Sequence, residues 1–233
     1  MAFALYLQDL VVSFMLPDKN TGLDRIFVDN LKLDAGEKLC ISGPSGSGKS
    51  VLLNVLAGVK KPNAGQVLWD GLDITHLSIF ELDKWRKRNI GFIFQDLHIL
   101  SGMTVLQNVL LMTEQNINSV NAEALNSRAK ILLRDMGIFY FDRPANTLSR
   151  GEQQRVAIVR ALLMSPQVLI ADDPFSSMDN MTTVMALNIL LKHVKETGST
   201  LIIASSNQIV HQRIDRVEIM EKGMLLHEHS LHT

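Results

Sequence analysis

Gly43-Pro44-Ser45-Gly46-Ser47-Gly48-Lys49-Ser50 decides the reading of this chain. It fits G-x-x-x-x-G-K-[ST], the pattern of a loop that wraps phosphate groups. The flanks fit as well. Lys38-Leu39-Cys40-Ile41-Ser42 reads as a short buried strand, and Val51-Leu52-Leu53-Asn54-Val55-Leu56-Ala57-Gly58 as an apolar helix closed by a glycine. Between them the glycines let the backbone curl so that successive N–H groups point inward at phosphate oxygens, and the helix start adds its positive end. Lys49 is expected to reach the β and γ phosphates of a nucleoside triphosphate, and Ser50 to place its hydroxyl on Mg²⁺. Gly43, Pro44, Ser45, Gly46, Ser47, Gly48 and Val51 complete the set expected around the nucleotide. A plain Gly/Ser turn before a core helix accounts for neither the Lys-Ser ending nor the strand in front.

At 233 residues the chain can bury a sizeable core, as one large domain or a domain with a subdomain. An apolar fraction of 46% and a charged fraction of 20% are ordinary for a globular protein. The formal net charge of −1 gives no global field that would draw nucleic acid or anionic lipid, so no nucleic-acid partner is expected. The single cysteine, Cys40, excludes an internal disulfide and reads as a small core residue. Apolar runs fall short of the roughly 18 residues a membrane span needs. The start, Met1 to Asp9, lacks a basic region and makes a poor signal peptide. Action at a membrane would therefore run through a partner.

Working outward, residues 3–14 and Arg25–Leu33 read as strands around a turn at Leu16–Gly22. Gln66–Asp70 is a further strand, and a helix near 78–88 ends in Lys84-Trp85-Arg86-Lys87-Arg88. That basic run could suggest nucleic acid, but cations favoured at a helix C-terminus explain it. Ile90–Phe94 is a buried strand. From Gln95 to about Pro166 strand signals give way to helices, over 104–113, 121–136 and 150–164, as in a helical subdomain inserted into an α/β core. Gln167–Ala171 and Thr200–Ala204 are continuous apolar strands, as in a parallel sheet covered on both faces. A helix over 180–196 lies between them, and Arg216–Met220 with Met224–His227 forms a hairpin.

Two further motifs carry chemistry. Val168-Leu169-Ile170-Ala171-Asp172 is a buried strand ending in a carboxylate, which can hold a metal hydration shell beside phosphates. Alone that is a weak signal; after a phosphate loop it is a strong one. Leu148-Ser149-Arg150-Gly151-Glu152-Gln153-Gln154-Arg155 opens a helix with Ser149 as N-cap and Glu152 three residues on, a capping box. Such a helix start, with a hydroxyl and a glycine N–H, is also an anion site.

Together the three motifs resemble ATP-binding-cassette (ABC) ATPases, whose signature usually runs Leu-Ser-Gly-Gly-Gln/Glu, and the resemblance covers essentially the whole chain. It implies an α/β P-loop NTPase of ABC type: a mixed core sheet, an antiparallel β-subdomain and an inserted helical subdomain. The whole chain, 1–233, would be one nucleotide-binding domain, with 1–94 and 167–233 forming the core and β-subdomain and 95–166 the helical part. It implies ATP and Mg²⁺ as ligands. Phe14 would stack on adenine, Gln95 would sense the metal, and Ser176-Ser177-Met178-Asp179 would touch an opposite subunit. Two such domains, in a homodimer or heterodimer, would sandwich two ATP molecules. Each ATP would lie between one phosphate loop and the Ser149, Gly151 and Glu152 end of the other chain. An integral membrane permease-type subunit would dock on the helical part, placing the chain in the cytoplasm, peripheral on the inner membrane. The stretches Ile93–Leu100, Thr104–Val109 and Gly151–Ala157 are similar to the lipoprotein-release, macrolide-efflux and cell-division group of bacterial cassettes.

Three positions depart from the pattern. Asp173 stands where the family has the glutamate that polarises the attacking water, and aspartate is one methylene shorter. Ser206 stands where the switch histidine belongs. Arg150 replaces the first signature glycine, and its side chain is expected to face solvent. The implied enzyme is an ABC-type ATPase that binds ATP well and cleaves it slowly, with Asp173, Gln95 and Ser206 at the catalytic positions and Ser50, Gln95 and Asp172 around the metal. Rival readings are a non-hydrolysing nucleotide-binding regulator in a heteromeric complex, and a soluble cassette of DNA repair or translation. The latter usually carries coiled-coil insertions or two cassettes, and neither is present. His227, His229 and His232 read as solvated tail residues rather than a metal site.

Overall fold

The computed structural model describes residues 3–15, 23–111 and 119–226. Ten strands form one sheet in the order β5-β4-β1-β2-β10-β9-β3-β8-β7-β6. Its antiparallel part comprises β1 (Leu5–Met15), β2 (Leu23–Leu33), β4 (Ala64–Trp69) and the two-residue β5 (Leu72–Asp73). The parallel part comprises β3 (Lys38–Ser42), β6 (Ile90–Ile93), β7 (Val168–Asp172), β8 (Thr200–Ala204) and β9 (Arg216–Glu221). The hairpin of β9 with β10 (Met224–Leu226) joins the two, because β10 pairs with β2 through Met224 and Phe27.

The apolar strands of the parallel part face two cores. Along β7, Val168 and Ile170 enter one hydrophobic cluster while Leu169 and Ala171 enter the other. β8 divides in the same way, Ile202 and Ala204 against Leu201 and Ile203, and β3 sends Leu39 and Ile41 one way and Cys40 the other. Period-two geometry makes this unavoidable for a strand covered on both faces. The first core also takes in the antiparallel strands and α1 (Lys49–Leu56). α2 (Ile79–Asn89) lies against β6. The second core is built with α3 (Val105–Leu110), α4 (Ser119–Asp135), α5 (Arg150–Leu162) and α6 (Asn180–Thr197). α3, α4 and α5 pack on one another, forming the helical insertion between β6 and β7.

Two cations of the basic run at the end of α2 make structural contacts. Arg86 donates to the Gly58 carbonyl, and Arg86 and Lys87 both pair with Asp83 one turn earlier. Expected and observed elements differ mostly at their ends. α4 begins at Ser119, inside a stretch expected to be a polar connection, and β5 and the one-turn α7 (Gln208–His211) carry too few residues for a periodic signal. The turn at 16–22 and the tail histidines lie outside the described residues.

Candidate functional site

The loops of interest all leave the carboxyl ends of adjacent parallel strands. Gly43–Gly48 follows β3, Ser206 follows β8, Asp172 ends β7, and Gln95 follows β6. Carboxyl ends of parallel strands are where α/β sheets bind ligands.

The phosphate loop is held from beneath by the β9–β10 hairpin. Gly43 has φ +144, and a Cβ there would run into the backbone carbonyl of Met220. A Cβ on Gly48, at φ +105, would press on Ile26 and the Met220 methyl group. Both positions therefore require glycine for space as well as conformation. Gly223 N–H also donates to the Ser47 carbonyl at 3.2 Å. Above, the loop opens: Pro44, Ser45 and Gly46 are exposed, and a Cβ on Gly46 would meet nothing within 4 Å. α1 starts at Gly48 in a left-handed conformation, with no side-chain cap bond among the described residues. Its first N–H groups are thus left for an external acceptor. The buried hydroxyl of Ser47 has no partner among the described residues.

Lys49 folds over the loop, donating to the Gly43 carbonyl at 2.7 Å and the Pro44 carbonyl at 2.8 Å. Burial draws its ammonium below the usual lysine range, against the pull of Asp172 and Asp173. Asp172 is 6% exposed. Burial raises its carboxyl above the ordinary aspartate range, the neighbouring Asp173 adds to this, and the Ser50 hydroxyl bond and Lys49 oppose it. Asp173 is raised by burial too, with Lys49 opposing. Its backbone is left-handed at φ +44, and its N–H donates to the Ala204 carbonyl at 2.9 Å. Two oxygen donors, the Ser50 hydroxyl and the Asp172 carboxylate, thus meet beside the loop. Mg²⁺ suits that pair, because it keeps several waters and takes few protein ligands beside substrate phosphates. Among the described residues no denser His, Cys, Asp or Glu cluster exists.

α5 connects the remaining loops. Its capping box is fully formed: the Ser149 hydroxyl accepts from Glu152 N–H at 3.3 Å and donates to the Glu152 carboxylate at 2.8 Å, which also takes the Ser149 N–H at 2.8 Å. The hydroxyl proton is therefore committed to Glu152 in this state, and contact with an anion requires it to turn away. Gly151 is needed for close approach rather than for its φ, since a Cβ there would stand 2.9 Å from the Ser177 carbonyl. Gln154, buried, fixes the same loop by donating to the Ser176 hydroxyl at 2.8 Å and accepting from Ser177 N–H at 3.0 Å. On its other side α5 holds the loop after β6. Arg160 donates to the Leu97 and His98 carbonyls at 2.6 and 3.0 Å, and Arg150 to the Gln95 carbonyl at 3.3 Å. Arg150 is exposed, as expected, but it is not idle in solvent: it binds the backbone of Gln95.

Residues 28–176 match the family model for ABC transporters. The chain belongs to the ABC transporter family. Its cassette is 35% identical, over 83% of this chain and 84% of the other, to the lipoprotein-releasing system ATP-binding protein LolD of Idiomarina loihiensis. It is also 35% identical to the macrolide export ATP-binding/permease protein MacB of Rhodopirellula baltica, over 84% of this chain but 29% of that longer protein. The ATP-binding cassette MJ0796, solved as a dimer in a post-hydrolysis state with ADP and Pi, superposes with a TM-score of 0.84 at 30% identity, covering 95% of this chain and 96% of that one. The cassette is thus an ATP-binding subunit of ABC ATPase type, in a family that works as dimers of such domains with membrane permease subunits.

The structure places Gly43–Val51, Gln95, Asp172, Asp173 and Ser206 at or just beyond the carboxyl ends of neighbouring parallel strands, and Ser149, Gly151 and Glu152 at the start of α5. Phe14 lies in β1 opposite Asp24, but its side chain is outside the described residues. Ser206 is exposed, while its neighbour Ser205 is buried and its carbonyl takes bonds from the Cys40 thiol at 3.7 Å and His211 Nε2 at 2.9 Å. Burial pushes the Cys40 thiol up to about 12, so it acts as a core residue. Sequence reasoning missed Gln154, Arg160 and the bond made by Arg150. Arg160 interrupts the apolar run from Val156 to Leu163, the one signal that marked it, whereas Gln154 lies in the polar first turns of α5, inside the motif quoted above, with nothing to single it out.

Proposed function

We propose that this cassette uses Mg²⁺ with ATP, dimerises on the bound nucleotide, and hydrolyses it slowly to drive a membrane partner. The observation that carries this reading is the pairing of the uncapped α1 start and Lys49 with Ser50 and Asp172 at the adjoining strand end. In it, N–H groups of the loop and Lys49 bind the β and γ phosphates. Ser50 and Asp172, with Gln95 nearby, hold the ion, which when bound neutralises charge on those phosphates. Ser149, Gly151 and Glu152 close over the nucleotide of the other chain. Asp173 accepts the proton of the attacking water from a side chain one methylene shorter than the family's glutamate, and Ser206 supplies only a short neutral hydroxyl. A misplaced general base lowers rate by about 10²–10⁴.

The cassette is divided at 95 and 166, with the helical part 95–166 facing the permease and 1–94 with 167–233 binding ATP. Among the described residues no helix is long and apolar enough to cross a membrane, and the relatives are subunits of lipoprotein-release and macrolide-export systems. These support a place on the cytoplasmic side of the inner membrane, held there by the permease. Asp173 and Ser206 also favour a second arrangement, a heterodimer in which this chain's own loop forms the slow site and its Ser149 end completes the partner's active one. The test is equilibrium ATP binding with and without Mg²⁺, beside single-turnover cleavage by the purified chain. Tight Mg²⁺-dependent binding with slow cleavage is expected. Turnover of the homodimer at a rate typical of cassette ATPases would sink the slow-site reading, and failure to bind ATP would sink the whole proposal.

A further inference from the structure

The bond from Arg150 to the Gln95 carbonyl joins two places that serve different nucleotides. Gln95 follows β6 and belongs to the chain's own site, beside Asp172 at the end of β7. Ser149, next to Arg150, caps the helix whose first turn, on the reading above, closes the other chain's site. α5 is one continuous helix of 13 residues, so its attachments move together. Arg160 fixes the Leu97 and His98 carbonyls near its C-terminal end, and Gln154 fixes Ser176 and Ser177 on another side. Neither reaches Gln95. Among the described residues of α5, the guanidinium of Arg150 does so, from the first position of the helix.

We propose that Arg150 is a positioning residue that locks the backbone of Gln95 to the Ser149 end of α5 within one chain. A displacement of the signature end by the partner's nucleotide is then passed to the glutamine beside this chain's own metal ligands, and the reverse. The side chain fits the task. Guanidinium is a permanent cation whose N–H groups bind an oxygen directionally. A glycine at this position has no side chain with which to make the link. The inference rests on the ATPase reading above only for its functional consequence. The clasp itself is a contact within one chain.

The test uses the purified full chain with Arg150→Ala and Arg150→Lys. Alanine keeps helix propensity and leaves the Ser149–Glu152 box in place, so the helix persists. Lysine keeps a donor of nearly the same reach. Amide exchange across 95–98 is expected to rise several-fold in Arg150→Ala and to stay near wild type in Arg150→Lys. Single-turnover cleavage should fall about 5-fold in Arg150→Ala, with ATP affinity within about twofold of wild type and partial recovery in Arg150→Lys. Unchanged exchange at 95–98 overturns the clasp. Unchanged cleavage, an equal loss of ATP affinity, or a lysine variant as poor as alanine overturns its positioning role. A wild-type chain that does not bind ATP overturns the proposed function instead, and the exchange result then still decides whether the clasp exists.

Discussion

The loop at 43–50 and the strand ends opposite it are held by different kinds of structure. The loop is fixed by backbone. Gly43 and Gly48 have no room for a side chain above the β9–β10 hairpin, and Gly223 bonds the Ser47 carbonyl. A change there disturbs the hairpin and the sheet seam as well as the ligand. Opposite, the positions that the proposed function ties to cleavage, Asp173 and Ser206, are side chains at the ends of β7 and β8. Ser206 is exposed, and Asp173 is half-buried in a turn whose backbone bond runs to Ala204 whatever the side chain is. Substitution at those positions alters chemistry without touching the core. The same fold can therefore keep nucleotide binding while residues at the strand ends change, which is the pattern the proposed function assigns to this chain.

The largest break in the comparison comes from the loop. Lys49→Ala removes the cation that donates to the Gly43 and Pro44 carbonyls and that the proposed function places on the phosphates. ATP affinity is expected to fall by at least about 100-fold by calorimetry, since charge-assisted bonds to phosphate are the strong ones in such a site. The fold should survive, because Lys49 sits above the loop and its bonds to Gly43 and Pro44 are not part of the core. A loss of only a few-fold would place the phosphates elsewhere.

The second test approaches from the other side. Asp173→Glu with Ser206→His restores the length and the ring that the family uses. Cleavage is expected to rise about 10- to 100-fold, with ATP affinity unchanged. Each single substitution should give less than the pair, since the two groups act on one reaction and need not add. A rise in affinity without a rise in rate would show that the strand ends also belong to binding.

The phosphate loop, the strand ending in Asp172 and the signature are legible as motifs because each is a run of neighbouring residues; the part each plays is the proposal made above. The central strands were legible for a similar reason: β7 and β8 are apolar without a break because both faces are covered. The links between loops were not legible. Gln154 meets Ser176 and Ser177 across 22 and 23 residues, and Arg160 meets Leu97 and His98 across 63 and 62. No local pattern marks such partners; folding alone brings them together. Capping boxes at Ser78–Glu81 and Thr104–Gln107 follow the same spacing as Ser149–Glu152 and could have been read the same way.

The raised carboxyls of Asp172 and Asp173 give the contrast a pH dependence. Burial raises both in the folded chain. Protonated carboxyls suit the folded chain, so their contribution to stability is fully present below the unfolded value and is lost as pH rises through the folded one. On the proposed function, binding of Mg²⁺ runs the other way, because Asp172 would have to be ionised to hold it. Mg²⁺-dependent ATP affinity should therefore weaken with acid at a pH above the usual aspartate range, approaching tenfold per pH unit. Asp172→Asn should abolish the Mg²⁺ dependence and the slope together. A slope that persists in Asp172→Asn would assign it to another group.

The smallest effect separates the structural work of the signature from its chemistry. Ser149→Ala breaks the capping box and should cost about 1 kcal/mol, or a Tm fall of about 2–4 °C. Part of that loss depends on pH. Burial pushes the Glu152 carboxyl up, but the Ser149 N–H and hydroxyl, with Tyr140 and Arg155, draw it below its usual value overall. A depressed carboxyl stabilises the fold above its unfolded value and loses that contribution as pH falls through the folded one. The gap between wild type and Ser149→Ala should therefore narrow in acid. If cleavage in the dimer falls far more than stability does, the hydroxyl also acts on the opposite nucleotide after turning from Glu152. If cleavage falls only in step with stability, Ser149 is a cap and nothing more, and the closing contact must come from the N–H groups of Gly151 and Glu152.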